Sequence, residues 1–132
     1  MLDILEKNKE LVRFNAEGKD PKDIWIEACE DGKTAVEEFH AELGEPLYCG
    51  FASVIIKPAS RSLYLPLVKY FKSMGIGGGT GYGGWRISYY DIMGRHKLSF
   101  TQSMDLREIG CQRFADVLKK YGVECYMESR AD

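Results

Sequence analysis

A glycine-rich stretch from Gly75 to Trp85 carries the most distinctive pattern in the sequence. Seven of the chain's fourteen glycines lie within residues 75–84. Glycine accepts positive φ angles and, because it lacks a Cβ, lets a ligand or a second backbone segment approach closely. The stretch neither matches the P-loop pattern G-x-x-x-x-G-K-[ST] nor follows a strand, so it predicts neither a P-loop nor a dinucleotide fingerprint. We expect its backbone amides to contribute neutral donors to an anionic ligand.

Polar and aromatic side chains elsewhere in the chain are predicted to complete a ligand site around this loop. Arg130 would bind a phosphate group by charge-assisted hydrogen bonds, and Tyr82 or Trp85 would stack on a base. Simple helix capping is an alternative explanation for Gln102 and Ser103, and it is the stronger one for Ser103 taken alone. A solubilising charge near the chain end would suffice to explain Arg130. The predicted ligand-binding residues are Gly79, Tyr82, Gly83, Gly84, Trp85, Gln102, Ser103 and Arg130.

A secondary anion site is predicted at Lys57, Ser60 and Arg61. These residues lie where a predicted strand leads into a helix, whose unpaired N–H groups and dipole favour an anion. Two cations near a strand end also occur without any ligand, so this site ranks second.

Metal, cofactor and catalytic signatures are missing from the sequence. The four cysteines, at 29, 49, 111 and 125, have no CxxC or Cys/His spacing typical of zinc sites and indicate a reducing cytosol. His40 and His96 have no partner at metal or nucleophile spacing. We therefore expect no metal, no cofactor and no catalytic residues.

Composition predicts one domain with an uneven distribution of charge. The chain has 132 residues, 45% of them hydrophobic, and a net charge of −2. Residues 1–46 carry a balance of −7 and residues 47–132 a balance of +5, so the second part is better suited to an anion. No apolar stretch approaches eighteen residues, and the charged, amphipathic N-terminus is not typical of a signal peptide.

Hydrophobic periodicity predicts helices first and then a mixed pattern. A helix over 2–14 precedes one over 20–43, which Asp31-Gly32 is expected to break or kink. From residue 47 the order is β-α-β-β-α-β, and an Asp105–Glu108 capping pair is expected to begin the second of these helices. The strands are predicted near 47–57, 84–91, 97–101 and 123–129, with a hairpin at 91–97 and helices near 62–74 and 105–121.

This order predicts a ferredoxin-like α+β domain at residues 47–132, preceded by an acidic helical extension at residues 1–46. The extension is expected to cover one face of the sheet. With an antiparallel strand order of 4-1-3-2, the glycine loop, residues 101–103 and Arg130 would gather at one end of the sheet. Lys57 and Arg61 would lie at the other end.

Five short blocks within residues 49–132 carry a resemblance: Cys49-Gly50-Phe51-Ala52, Ile56-Lys57-Pro58, Tyr82-Gly83-Gly84, Gln102-Ser103-Met104 and Ser129-Arg130-Ala131-Asp132. They resemble the recurring blocks of a group of small, largely uncharacterised proteins of tailed bacteriophages. The resemblance implies a cytoplasmic protein of an infected bacterium, where small phage proteins often neutralise host defence or redirect host machinery. It implies origin and setting, and no reaction.

These patterns together favour a non-catalytic protein that binds a small anionic, nucleotide-like ligand, such as a host defence signal. One alternative is an inhibitor or modulator that binds a host protein through the acidic N-terminal helices. Another is a phosphoryl-transfer or hydrolytic enzyme, which no carboxylate pair or Cys/His pair supports. The aromatic-basic motif of RNA-recognition domains is absent, so a small ligand is favoured over polymeric nucleic acid. A homodimer is compatible with the domain order.

Overall fold

The computed structural model describes residues 20–58 and 61–131, and the side chains of residues 61–65 lie outside that description. The predicted helix at 2–14 and Ser60 therefore lie outside the described residues. None of the helices in the described part is long and apolar enough to cross a membrane. The elements are α1 (Pro21–Leu43), β1 (Gly50–Ile56), α2 (Arg61–Met74), β2 (Gly78–Gly79), β3 (Trp85–Ser88), α3 (Tyr89–Met93), α4 (Met104–Lys120) and β4 (Cys125–Ala131).

The fold is mixed α+β, with a four-stranded antiparallel sheet in the order β2-β3-β1-β4. The predicted first and last strands and the two main helices are present, with ends within a few residues of the expected ones. Along β1, Ala52, Val54 and Ile56 alternate into the hydrophobic core. Helix α4 packs behind β1 and β4. The opposite face of the sheet is referred to below as the open face.

The predicted third strand at 97–101 is wrong, because the chain leaves the sheet at Ser88. Ser88 and Asp91 form a capping box in which each side chain accepts a hydrogen bond from the other's backbone N–H, at 3.1 and 3.0 Å. This box starts the short helix α3 where a hairpin at 91–97 was expected. Residues 97–100 form turns instead of a strand.

The glycine-rich stretch folds as a tight β-hairpin that supplies the edge strand β2. The Thr80 N–H donates to the Gly84 carbonyl at 2.9 Å, which closes the hairpin, and Gly79 pairs with Trp85. Gly77 has a φ of 70°, and a Cβ there would lie 2.3 Å from the Arg86 carbonyl oxygen. The concentration of glycine is therefore explained in part by close backbone packing.

Helix α1 runs unbroken through Gly32, so the predicted break or kink at Asp31-Gly32 is wrong. Gly32 is buried where α1 crosses α4. A Cβ on Gly32 would lie 3.0 Å from the Gly110 carbonyl oxygen, and one on Gly110 would lie 2.9 Å from Cγ2 of Val36. The glycines let the two helices approach closely.

Helix α1 packs mainly against α4, and no described part of it covers the open face. Its residues Ile24, Ala28 and Val36 belong to the same hydrophobic core as the sheet. The Trp25 ring meets the rings of Phe71 and Phe114 edge-on, at 5.6 Å in both cases. The described part of the acidic region thus lies over the helical layer, away from the open face.

Replacing Gly110 tests the close helix crossing. Leucine is a better helix former than glycine by about 1 kcal/mol. However, the close approach of Val36 leaves no room for a leucine side chain at position 110. We expect Gly110→Leu to lower the free energy of unfolding by about 1–3 kcal/mol, the usual cost of overpacking a core. Urea denaturation measures this change.

The matched control is Gly81→Leu. Gly81 is exposed, and a Cβ there would meet no atom within 4 Å. This variant should change the free energy of unfolding by less than about 0.5 kcal/mol. Equal stability of the Gly110 and Gly81 variants would contradict the close crossing of α1 and α4.

Candidate functional site

The open face of the sheet carries a regular arrangement of aromatic, hydroxyl and charged side chains. Ser53 of β1 pairs with Ser88 of β3 on one side and with Glu128 of β4 on the other. Phe51 pairs with Arg130 in the neighbouring row. Because side chains alternate along a strand, these residues share the face opposite the core.

A cavity of about 300 Å³ lies over this part of the open face. We call it the open-face cavity. The described residues that border it include three guanidinium groups and one carboxylate, a balance of +2, together with exposed aromatic rings. Its lining residues are Phe51, Ala52, Ser53, Arg86, Ser88, Tyr89, Tyr90, Arg107, Glu128, Ser129 and Arg130.

The early end of β3 creates the space in which Arg107 lies. Since β3 turns away at Ser88, the start of β1 has no strand beside it on that edge. The Gly50 N–H donates instead to the Gln102 carbonyl at 3.2 Å, and the Gly50 carbonyl accepts from Nη1 of Arg107 at 3.0 Å. Arg107 thereby reaches from helix α4 to the border of the open-face cavity.

Arg107 is only 3% exposed and is held by three hydrogen bonds. Besides the bond to Gly50, its Nε donates to the Thr101 carbonyl at 2.9 Å, and Nη2 donates to the Tyr90 hydroxyl at 2.7 Å. All three acceptors are electrically neutral. These bonds fix the guanidinium without cancelling its charge.

Three aromatic rings surround the Arg107 guanidinium. Its central carbon lies 5.1 Å from the ring centre of Tyr90, 5.2 Å from that of Phe51 and 5.9 Å from that of Tyr89. Such cation–π contacts stabilise a desolvated cation. Phe51 and Tyr90 remain 47% and 45% exposed, so part of each ring faces solvent.

No carboxylate of the described residues forms an ion pair with Arg107. The Tyr89 phenol and the Cys111 thiol, which lie near it, also stay neutral near pH 7. Burial raises the pKa of the Tyr89 phenol and raises the pKa of the Cys111 thiol to about 12, despite the opposing effect of Arg107 on both groups. Glu45 and Glu108 act electrostatically on Tyr89 and Cys111, but neither forms an ion pair with Arg107. The charge of Arg107 is therefore not neutralised by a direct partner, which suits the site to an anion.

Of the residues predicted for the main site, Arg130 borders the open-face cavity, and Gln102 and Ser103 lie at the same end of the sheet. Arg130 is exposed, and its side chain has no ion pair with any described residue. Ser103 is buried, and its hydroxyl caps α4 by accepting from the Leu106 N–H. Ser103 therefore replaces the predicted Asp105–Glu108 capping pair.

The glycine hairpin lies at the opposite end of the sheet, so its expected position beside Arg130 is wrong. Trp85 pairs with Ile56, whereas Arg130 pairs with Phe51, five residues away along β1. That separation is about 17 Å. The predicted residues Gly79, Tyr82, Gly83, Gly84 and Trp85 are consequently separated from Arg130.

Hydrogen bonds within the hairpin use amides that were expected to face a ligand. The Thr80 hydroxyl accepts from the N–H groups of Gly84 and Tyr82, at 2.9 and 3.4 Å. The Trp85 ring packs against the core, and its Nε1 donates to the Ile76 carbonyl at 3.1 Å. Of this group, Tyr82 is almost fully exposed.

Lys57, from the predicted secondary site, lies at the hairpin end. Its ammonium group is 5.3 Å from the centre of the Tyr126 ring on β4. Lys57, Tyr82 and Tyr126 border a second cavity, of about 250 Å³. The Arg61 side chain and Ser60 lie outside the described residues.

Arg107, Phe51 and Tyr90 were missed as site residues from the sequence. Arg107 could have been found on a helical wheel, because Gly110, Cys111 and Phe114 follow it at helical spacing and all are buried. A charged residue on a buried helical stripe needs a specific reason. The wheel alone does not predict the cavity, which forms where β3 leaves the sheet.

Among the described residues, no group of three or more His, Cys, Asp or Glu side chains is placed to hold a metal ion. Comparisons with protein-family models, with curated proteins and with solved structures found no match to this chain. The functional interpretation therefore depends on the geometry of the open face.

Thiol modification tests the neutral interior behind the site. Burial raises the pKa of Cys29 and Cys111 to about 12 and that of Cys125 to about 11. Because the thiolate is the reactive form, iodoacetamide at pH 8 should rapidly modify only the partly buried Cys49 in the folded protein. Peptide mass mapping identifies the modified residues, with guanidinium-unfolded protein as the control in which all four react. Rapid modification of Cys111 in the folded state would contradict this description.

Proposed function

We propose that this protein is a non-catalytic binding protein that holds a small anionic, nucleotide-like ligand in the open-face cavity. A phosphate group of the ligand lies between Arg107 and Arg130, and its base lies against the exposed parts of the Phe51 and Tyr90 rings. This proposal keeps Arg130 as a phosphate-binding residue and moves the site from the glycine hairpin to the open face.

The observation that carries the proposal is the buried guanidinium of Arg107. A buried charge without an opposite charge is costly, and proteins rarely keep one without a reason. Three neutral acceptors and three rings hold Arg107 in place, and it borders a cavity of net positive charge. An anionic ligand supplies the missing opposite charge.

The neighbouring groups extend this recognition beyond a single charge. Arg130 adds a second guanidinium, whose planar donors match the oxygens of a phosphate. The Tyr90 hydroxyl accepts from Arg107, so its own proton is available to a ligand oxygen. Stacking on Phe51 or Tyr90 contributes about 1–3 kcal/mol for a base, by analogy with single-stranded nucleic acids. The ligand therefore combines an anion with a flat ring.

We also propose that the domain is a ferredoxin-like variant with a much shortened second strand. From the β4 edge, the strand order is 4-1-3-2, and every neighbouring pair is antiparallel. Helices α2 and α4 follow β1 and β3 in the expected sequence, with α3 inserted. In this assignment the glycine hairpin connects strands two and three.

The phage resemblance suggests a setting for such a protein. In the cytoplasm of an infected bacterium, a binding protein without catalysis acts by sequestration, which requires affinity and sufficient protein. A host signalling nucleotide of a defence system is the ligand that this setting favours.

Replacing Arg130 tests the site without disturbing the fold. Arg130→Ala should weaken binding of nucleoside monophosphates by about 1.5–3 kcal/mol, the range for a hydrogen bond to a charged group. Arg130→Lys should restore part of the affinity, because an ammonium group cannot make the bidentate contact. Isothermal titration calorimetry with the four ribonucleoside monophosphates measures both changes.

The matched control is Arg113→Ala, which removes an exposed guanidinium from α4 outside the lining of the cavity. It should leave the affinity within a factor of about two, since removing a distant exposed charge has little effect. Urea denaturation should show similar stability for all three variants. Equal losses of affinity in Arg130→Ala and Arg113→Ala would mean that only net charge matters, and the proposed site would be wrong.

A further inference from the structure

We infer, on the basis of the proposed function, that the open face binds two nucleotide units joined by a phosphodiester. One unit occupies the open-face cavity, and the second occupies the adjacent cavity beside the glycine hairpin. We call the latter the loop-end cavity. Its lining residues are Ile55, Ile56, Lys57, Pro58, Thr80, Tyr82, Gly84, Arg86, Tyr126 and Glu128.

The loop-end cavity repeats the chemistry of the open-face cavity. Tyr126 is 43% exposed and lies beneath the Lys57 ammonium group, while Tyr82 projects into solvent from the hairpin. This cavity thus combines an aromatic ring for stacking with a cation for a phosphate group. Two sites of the same kind on one continuous face indicate a ligand with two similar parts.

Arg86 and Glu128 form the shared wall between the cavities and line both of them. Arg86 Nη2 lies 3.5 Å from Glu128 Oε2, and both side chains are about half exposed. An ion pair of this kind is weak, because water screens it. A phosphodiester that lies across the shared wall can therefore replace Glu128 as the partner of Arg86 at a small cost in free energy.

The spacing of the aromatic rings defines the conformation of the ligand. Phe51 and Ile55 are four residues apart along β1, and Tyr126 pairs with Ile55. The two stacking positions are therefore separated by about 13 Å along the strand. Neighbouring stacked bases in a duplex are about 3.4 Å apart, so the two bases of this ligand must be splayed apart on separate rings. Single-stranded nucleic acids and linked dinucleotides share this chemistry.

The experiment compares mononucleotides with linked dinucleotides on the full-length chain. The probes are the four ribonucleoside monophosphates and their 5′-phosphorylated homodinucleotides, titrated by calorimetry. Because linkage makes the second contact intramolecular, at least one dinucleotide should bind tenfold or more tightly than its mononucleotide. Tyr126→Ala and Lys57→Ala should each reduce that ratio to less than threefold.

Two matched variants serve as controls. Tyr48→Ala and Lys69→Ala remove an exposed phenol and an exposed ammonium group that line neither cavity. Both controls should keep the wild-type ratio. Glu128→Gln should strengthen dinucleotide binding severalfold, because it removes the one carboxylate of the shared wall and frees Arg86.

The outcomes separate this inference from the proposed function. If mononucleotides bind and dinucleotides bind no more tightly, the two-part site is wrong and the proposed function stands. If the ratio is high but Tyr126→Ala and Tyr48→Ala lower it equally, the two-part site is also wrong. If no probe binds, both proposals are overturned.

An oligonucleotide of eight residues distinguishes the sources of the shared chemistry. If it binds much more tightly than every dinucleotide, the ligand is a single-stranded segment. If it binds with the affinity of its dinucleotide or more weakly, the ligand is a small linked dinucleotide. Either result supports two joined units, and the first would contradict the small ligand of the proposed function.

Discussion

The buried guanidinium of Arg107 connects the separate parts of this structure. It donates to the first residue of β1, to the turn before α4 and to the hydroxyl of Tyr90 at the start of α3. Thr101 and Tyr90 lie 6 and 17 residues before Arg107 in the sequence, and Gly50 lies 57 residues before it. The same interactions satisfy a backbone carbonyl that a longer β3 would otherwise have paired. The position of Arg107 therefore follows from the early end of one strand.

The distribution of charge over the molecule complements this arrangement. Helix α1 carries seven acidic and two basic residues, histidine excluded, and packs over α4 on the far side of the sheet. Among the described residues, the two cavities of the open face are lined by Lys57, Arg86, Arg107 and Arg130 and by one carboxylate, that of Glu128. A separation of this kind guides an anion towards the positive face and away from α1. The net charge of −2 for the whole chain does not reveal this separation of charge.

Local patterns predicted much of the fold. The β-branched run before Lys57 and the apolar spacing from Leu106 to Leu118 predicted β1 and α4, because each pattern matches the period of its element. The capping box at Ser88 and Asp91 is also a local signal. Because it was missed, a third strand was wrongly predicted at 97–101. Gly32 stands inside the continuous helix α1 where Gly110, from far along the sequence, packs against it, so no local rule reveals why this glycine leaves the helix unbroken.

The candidate site was less predictable, because it depends on strand register. Arg130 was identified correctly as a residue at the entry end of β1, but the glycine hairpin was assigned to the wrong end. The error arose because residues 84–91 were counted as the second strand, which runs parallel to the first in this fold. The observed β3, at Trp85–Ser88, runs antiparallel to β1. Phe51 could be weighed only after Arg107 was seen beside it.

An NMR titration of ¹⁵N-labelled protein with the ribonucleoside monophosphate that binds most tightly tests the central claim most directly. The Arg107 Nε–H group is buried and hydrogen-bonded, so its resonance should be observable and specific to the cavity. The account predicts that this resonance and the amides of Phe51, Ser53 and Arg130 shift together along one saturating curve, while α1 is unaffected. An unchanged Arg107 Nε–H resonance, with shifts confined to α1 or to the tip of the glycine hairpin, would contradict it.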